Sequence, residues 1–101
     1  MNYSIEIAQS ARREWKKLDH SIKQQFQKKL DQLTANPKIP SAKLRGYKDA
    51  YRIKLRDAGY RLIYRVIDER LIIVIITVAK RDSSKKDVYH LGEQRLKDSD
   101  V

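Results

Sequence analysis

No cysteine occurs among the 101 residues. Disulfides, thiolate metal sites and a cysteine nucleophile are therefore excluded. Glycine is scarce, with three residues, and none belongs to a loop of the kind that cradles a nucleotide phosphate. The two histidines, His20 and His90, lie far apart, and His20 falls at a helix start, which argues against a two-histidine nuclease. No carboxylate cluster points to a metal, because Asp68 and Glu69 read as residues of a tight turn. No cofactor is expected. The longest apolar run, "LIIVIITVA", is nine residues, too short to span a bilayer as a helix. The opening "MNYSIEIAQS" lacks a signal-peptide core. The expectation is a soluble cytoplasmic protein with no membrane partner, whose chemistry must run on Lys, Arg and Tyr.

Positive charge is abundant. The formal net charge is +10, from 23 basic and 13 acidic residues. Such an excess suits a polyanion: nucleic acid first, an acidic protein second, an anionic membrane third. It is unevenly spread. Residues 1–40 hold 8 cations against 4 anions, residues 41–81 hold 11 against 4, and residues 82–101 hold 4 against 5. The middle of the chain carries the charge, not a tail.

The pattern there is that of strands. "NYSIEI" alternates and reads as a first strand. Ser10 is placed to cap a helix bearing Ala11, Trp15 and Leu18. Asp19 or Ser21 restarts a second helix with the stripe Ile22, Phe26, Leu30 and Leu33, ended by Asn36 and Pro37. A connection over 36–50 leads to strands at 51–56, 60–67 and 71–79, with turns at 57–59 and 68–70. The third of these is apolar without alternation, which places it centrally, covered on both faces. A short last helix is expected from about residue 86 to 97. The fold class is α+β in one domain, 1–101. A small, mainly antiparallel four-stranded sheet carries the N-terminal helical hairpin on one face, in the order β-α-α-β-β-β-α.

Alternation then assigns sides. Tyr51, Ile53 and Leu55 share one face, and Arg52, Lys54 and Arg56 the other. In the next strand Tyr60, Leu62, Tyr64 and Val66 oppose Arg61, Ile63, Arg65 and Ile67. The last strand ends in Lys80 and Arg81. Hairpin pairing would let Arg52, Lys54, Arg61 and Arg81 converge on one surface. Like charges across a sheet repel, and a phosphate relieves them, through the Arg fork or the Lys point charge. Crowding also favours a neutral lysine, so Lys54 is the candidate base. Tyr64, Tyr89 and His90 could supply rings near a nucleobase. The competing reading is a solvated strand face with snorkelling side chains.

The stretch "KLRGYKDAYRIKLRDAGYRLIYRVIDERLIIVIITVAKR", with "REWKKL" upstream, resembles the RelE family of type II toxin–antitoxin toxins, within the RelE/ParE superfamily. The resemblance runs from Tyr3 to about Tyr89. It implies a small sheet with two N-terminal helices and a mobile C-terminal helix. It also implies a metal-independent endoribonuclease that cuts messenger RNA in the ribosomal A site. The 2′-hydroxyl attacks the adjacent phosphate, giving 2′,3′-cyclic phosphate and 5′-hydroxyl ends. The family's functional positions fall on Arg52, Lys54, Arg61, Arg81 and Tyr89. Lys54 would be the base with Arg52 beside it, Arg61 would stabilise the phosphate charge, Arg81 the departing oxygen, and Tyr89 would orient the substrate. Arg45, Arg56, Arg65 and Lys80 would add RNA contacts. The family often has Lys where this chain has Arg52, and its segment before the tyrosine is slightly shorter, which makes His90 a stand-in for Tyr89. Implied partners are a RelB-like antitoxin, the ribosome and messenger RNA, and operator DNA through the antitoxin complex. The antitoxin's binding segment would be acidic and amphipathic, covering the cationic face or displacing the last helix. Alternatives are a ParE-like gyrase inhibitor on the same fold, which needs no such cation cluster, and a non-catalytic basic nucleic-acid-binding module.

Overall fold

Strand β1 (Ser4–Ile7) opens the chain and leads into helices α1 (Gln9–Lys16) and α2 (His20–Leu33). Strands β2 (Ala50–Leu55), β3 (Tyr60–Ile67) and β4 (Ile72–Lys80) follow, and α3 (Val88–Asp98) is last. The structure, a computed structural model, describes residues 2–80 and 88–98, with side chains in α3 only for 92–97. Arg81 and the side chains of Tyr89 and His90 lie outside the described residues.

The four strands form one sheet in the order β1-β4-β3-β2. β2 pairs antiparallel with β3 and β3 with β4, whereas β1 runs parallel to β4. The apolar strand is therefore internal, as expected. Gly59 closes the β2–β3 turn at φ +74°, a left-handed conformation that costs glycine little, and donates its N–H to Leu55 O at 2.8 Å.

The helical hairpin packs on one face. Ala11, Leu18, Ile22, Phe26 and Leu30 meet Tyr51, Ile53, Leu55, Leu62, Tyr64 and Val78 in one buried cluster. Ser10 does not cap α1, which begins at Gln9 after Ala8, and Ser10 lies inside the first turn. The opposite face carries a second cluster, in which Leu96 of α3 joins Ala50, Ile63, Ile72, Val74 and Ile76. Gly92 lets α3 approach closely: a methyl there would overlap Ile63 Cδ1 and press on Thr77 Cγ2 at 3.1 Å.

β4 fails to alternate for a structural reason beyond double burial. The register runs Ile63 to Thr77 and then Tyr64 to Ile75, leaving Ile76 as an extra residue. This bulge switches the phase of the strand. Val78, Ile75 and Ile73 face the hairpin, while Ile76, Val74 and Ile72 face α3.

Candidate active site

The β2–β3 register fixes the cation row. Lys54 lies directly across from Arg61, and Arg52 across from Ile63. Directly opposed side chains have Cβ atoms about 5 Å apart, so Lys54 and Arg61 are close neighbours. Both belong to the face that carries α3, and Ile63, which underlies Gly92 of α3, separates Arg61 from Arg65 along β3. α3 thus borders the row on its β4 side.

Arg61 is the unusual member. It is 8% exposed, opposite the small Ala79 of β4. One guanidinium nitrogen donates to the carbonyl of Tyr60 at 2.9 Å, and its Nε has no partner among the described residues. Among the described residues no carboxylate forms an ion pair with Arg52 or Arg61. Burying a guanidinium without a counter-charge is costly, and an anion arriving from solvent would offset that cost. Arg52 and Lys54 are half-exposed and also line a groove of about 250 Å³ at the β2 edge, together with Lys29 and Gln32 of α2.

The remaining expected residues scatter. Arg56 is exposed in the β2–β3 turn, past the end of the strand. Arg65 keeps the α3 face but sits at the far end of β3, opposite Ala50, and its Nε donates to Lys48 O at 3.3 Å. Arg45 is exposed on the loop before β2, beside a groove of about 630 Å³ lined also by Lys43, Tyr47 and Lys48. Lys80 pairs with Tyr60, so the register puts it on the hairpin side, away from Lys54 and Arg61. The bulge lies before Thr77 and leaves simple alternation over 77–80, which turns Lys80 to the opposite side from Ala79.

Tyr64 is not a substrate ring. It is fully buried on the hairpin face, stacked on Tyr51 at 5.5 Å, with its hydroxyl donating to Pro37 O at 2.7 Å. Burial drives its pKa far up, so the hydroxyl is a fixed donor that ties the connection after α2 to the sheet. Two residues escaped the sequence reading. Glu14 of α1 and Arg95 of α3 form a bidentate pair at 2.8 and 3.1 Å against β4. They stand 81 positions apart in sequence, and no local pattern links them. Among the described residues no group of acidic or histidine side chains is arranged to hold a metal ion.

The chain is similar to known proteins. Residues 5–84 match the family described as ParE toxin of type II toxin–antitoxin system, parDE. A RelE-like toxin protein of Escherichia coli is 54% identical over 97 residues, covering 96% of this chain and all of that protein. The mRNA interferase toxin RelE of Escherichia coli K12 is 42% identical, covering 95% and 99%. A solved double arginine-to-alanine variant of Escherichia coli RelE, in the free state, superposes with TM-score 0.83 at 41% identity, covering 95% of this chain and 99% of that one. RelE in the intact Escherichia coli RelBE toxin–antitoxin complex gives 0.75 at 42% identity, covering 79% and 98%. The matched family is named for ParE, but the relatives spanning the full chain are RelE proteins. With its two faces, its cation row and these relatives, the chain belongs to the RelE family of type II toxin–antitoxin toxins.

Proposed function

We propose that this protein is the toxin of a type II toxin–antitoxin pair and an endoribonuclease that cuts messenger RNA on the ribosome. The observation that carries the reading is the buried Arg61, without an ion pair among the described residues, directly across from Lys54, with Arg52 on the same face. Full-length relatives named mRNA interferase support it.

In this scheme a phosphodiester lies over the Lys54–Arg61 pair. Lys54 accepts the proton of the 2′-hydroxyl as its oxygen attacks phosphorus. Arg61, held by the Tyr60 carbonyl and already desolvated, meets the negative charge gathering on the phosphoryl oxygens. Arg52 adds charge beside it and cannot serve as base, because a guanidinium keeps its proton. Arg81 receives the departing 5′-oxygen, and Tyr89, with His90 as stand-in, orients a base. The products are a 2′,3′-cyclic phosphate and a 5′-hydroxyl. A weak base demands a well-aligned substrate, and the ribosome supplies that alignment. Arg45, Arg56 and Arg65 provide outlying contacts to RNA. Lys80, on the other side of the sheet, is not assigned to the cut strand.

The partner is a RelB-like antitoxin whose acidic, amphipathic segment neutralises the cationic face. RelE in complexes with RelB supports this. Contact with operator DNA would come through that antitoxin. No helix among the described residues is long and apolar enough to cross a membrane.

Arg61→Ala and Arg81→Ala are each expected to lower messenger cleavage on programmed ribosomes by roughly a hundredfold to a thousandfold, with the fold retained by circular dichroism. Undiminished cutting by both variants would end the assignment. The ParE family name keeps one rival in view. Stalled gyrase–DNA breaks without new messenger 5′ ends, after induction in cells, would favour a gyrase inhibitor.

A further inference from the structure

The outer edge of β4 is only half covered. β1 pairs with Ile72 to Ile75 and stops at Ile7, and Ala8 then donates to Ile75 O at 2.9 Å. The chain turns away into α1. The last stretch of β4, Ile76–Lys80, therefore has no strand on that side among the described residues, and its outward backbone groups need partners. Side chains supply them. Glu14 Oε1 accepts from the Val78 N–H at 3.3 Å and from Thr77 Oγ1 at 3.0 Å. Arg95 donates to Ile76 O at 3.0 Å. The same two side chains grip each other at 2.8 and 3.1 Å and are only 23% and 21% exposed.

A carboxylate here takes the place of a neighbouring strand's carbonyl, and a guanidinium takes the place of its amide. We propose that Glu14 and Arg95 are positioning residues that act together as a surrogate strand segment. They hold the end of β4 that sets Ala79 beside Arg61, and make the alignment of that strand end depend on α3 being docked. The polarity is what matters. An ordinary ion pair works equally well with its charges exchanged, but a surrogate strand does not. With exchanged charges, a cation faces the Val78 N–H and an anion faces the Ile76 carbonyl.

The activity arm of the test rests on the proposed cleavage; the amide arm does not. Full-length Glu14→Ala, Arg95→Ala and the exchanged double variant Glu14→Arg with Arg95→Glu are compared with the parent. Hydrogen exchange at the Val78 amide is read in the isolated protein, and kcat and KM are read on programmed ribosomes. Each single variant is expected to speed Val78 exchange about tenfold or more. Each is also expected to lower kcat by roughly tenfold to a hundredfold, with KM little changed. The exchanged variant is expected to stay fast in exchange and slow in turnover even where it recovers thermal stability. Arg95→Lys, milder should the others unfold, keeps the charge but loses the fork, and is expected to fall between parent and Arg95→Ala. Full recovery of both readouts by the exchanged variant would reduce the pair to a plain salt bridge. Unchanged Val78 exchange in the single variants would overturn the surrogate-strand role outright. Faster exchange with unaltered kcat would overturn the positioning role while leaving the cleavage reading intact. If the parent cuts no messenger, the cleavage reading fails, and Val78 exchange still decides the surrogate strand.

Discussion

The two ends of the sheet treat charge in opposite ways. At the end where β1 begins and β3 stops, Asp68 accepts from the Tyr3 hydroxyl at 2.7 Å and from Lys38, which also lies 3.6 Å from Asp49. Lys38, Asp49 and Asp68 brace one another there. At the β2–β3 turn end, Arg61 is buried and forms no ion pair among the described residues, and Lys54 faces it across the strands. The contrast separates cations that hold the fold together from a buried cation, Arg61, that would meet an anion under the proposed function.

Breaking the shared scaffold should have the largest effect. Phe26, fully buried under the hairpin, should lose about 3–5 kcal/mol of unfolding free energy when changed to Ala. Both ends of the sheet should melt together in one denaturant transition; two separate transitions would mean that the ends are independent units. The loss of cleavage expected for Arg61→Ala is nearly as large in free energy, but it should leave that transition close to its original midpoint. Such a result would sharpen the contrast, since Arg61 would matter to the substrate and little to the fold.

Gly92→Ala should act in between, at about 1–3 kcal/mol, because the added methyl meets Ile63 where α3 seats. Faster amide exchange in α3, with the hairpin face unaffected, is the pattern to look for. Uniformly faster exchange across both faces would contradict it.

The smallest effect concerns pH at the braced end. The Lys38 hydrogen bond, then that of Tyr3, holds the Asp68 carboxyl below its usual range. Its contribution is therefore present above the unfolded-state value and lost as pH falls through the folded one. The hydrogen bond to Asp68 raises the pKa values of both Lys38 and Tyr3. Their contributions are present at neutral pH and lost as pH rises through those values. Asp68→Asn should thus lower Tm at neutral pH, with the gap closing below about pH 4 and above about pH 10. These groups are exposed, so the gap should be small and should shrink with salt. A constant gap across pH would dismiss the linkage.

Much of this was legible in the residues. Period-two alternation in "YRIKLRDAGYRLIYRV" put Arg52, Lys54 and Arg61 on one face, and the register agrees. The helix stripe Ile22, Phe26 and Leu30 is buried as its spacing requires. What could not be read depended on partners distant in sequence. An apolar run looks the same with or without a bulge, so the phase switch at Ile76 was hidden. Tyr64 could have been a base-stacking ring or a core donor, and only the position of Pro37 decides between them. Lys80 was grouped with the site because charge is visible in a sequence and the side a strand's last residue faces is not. Glu14 and Arg95 gain their meaning from the place where β1 stops.

The parallel pairing of β1 with β4 has a consequence for how the protein is made. Ser4–Ile7 must wait for Ile72–Ile75, far later in the chain, before their ladder can form. Such distant pairing slows folding and delays it until the late strand is available. Until β4 emerges, the β2–β3 hairpin lacks its inner neighbour and Arg61 lacks Ala79 at its side. A nascent toxin therefore stays unassembled until β4 has been made and can take its place between β1 and β3.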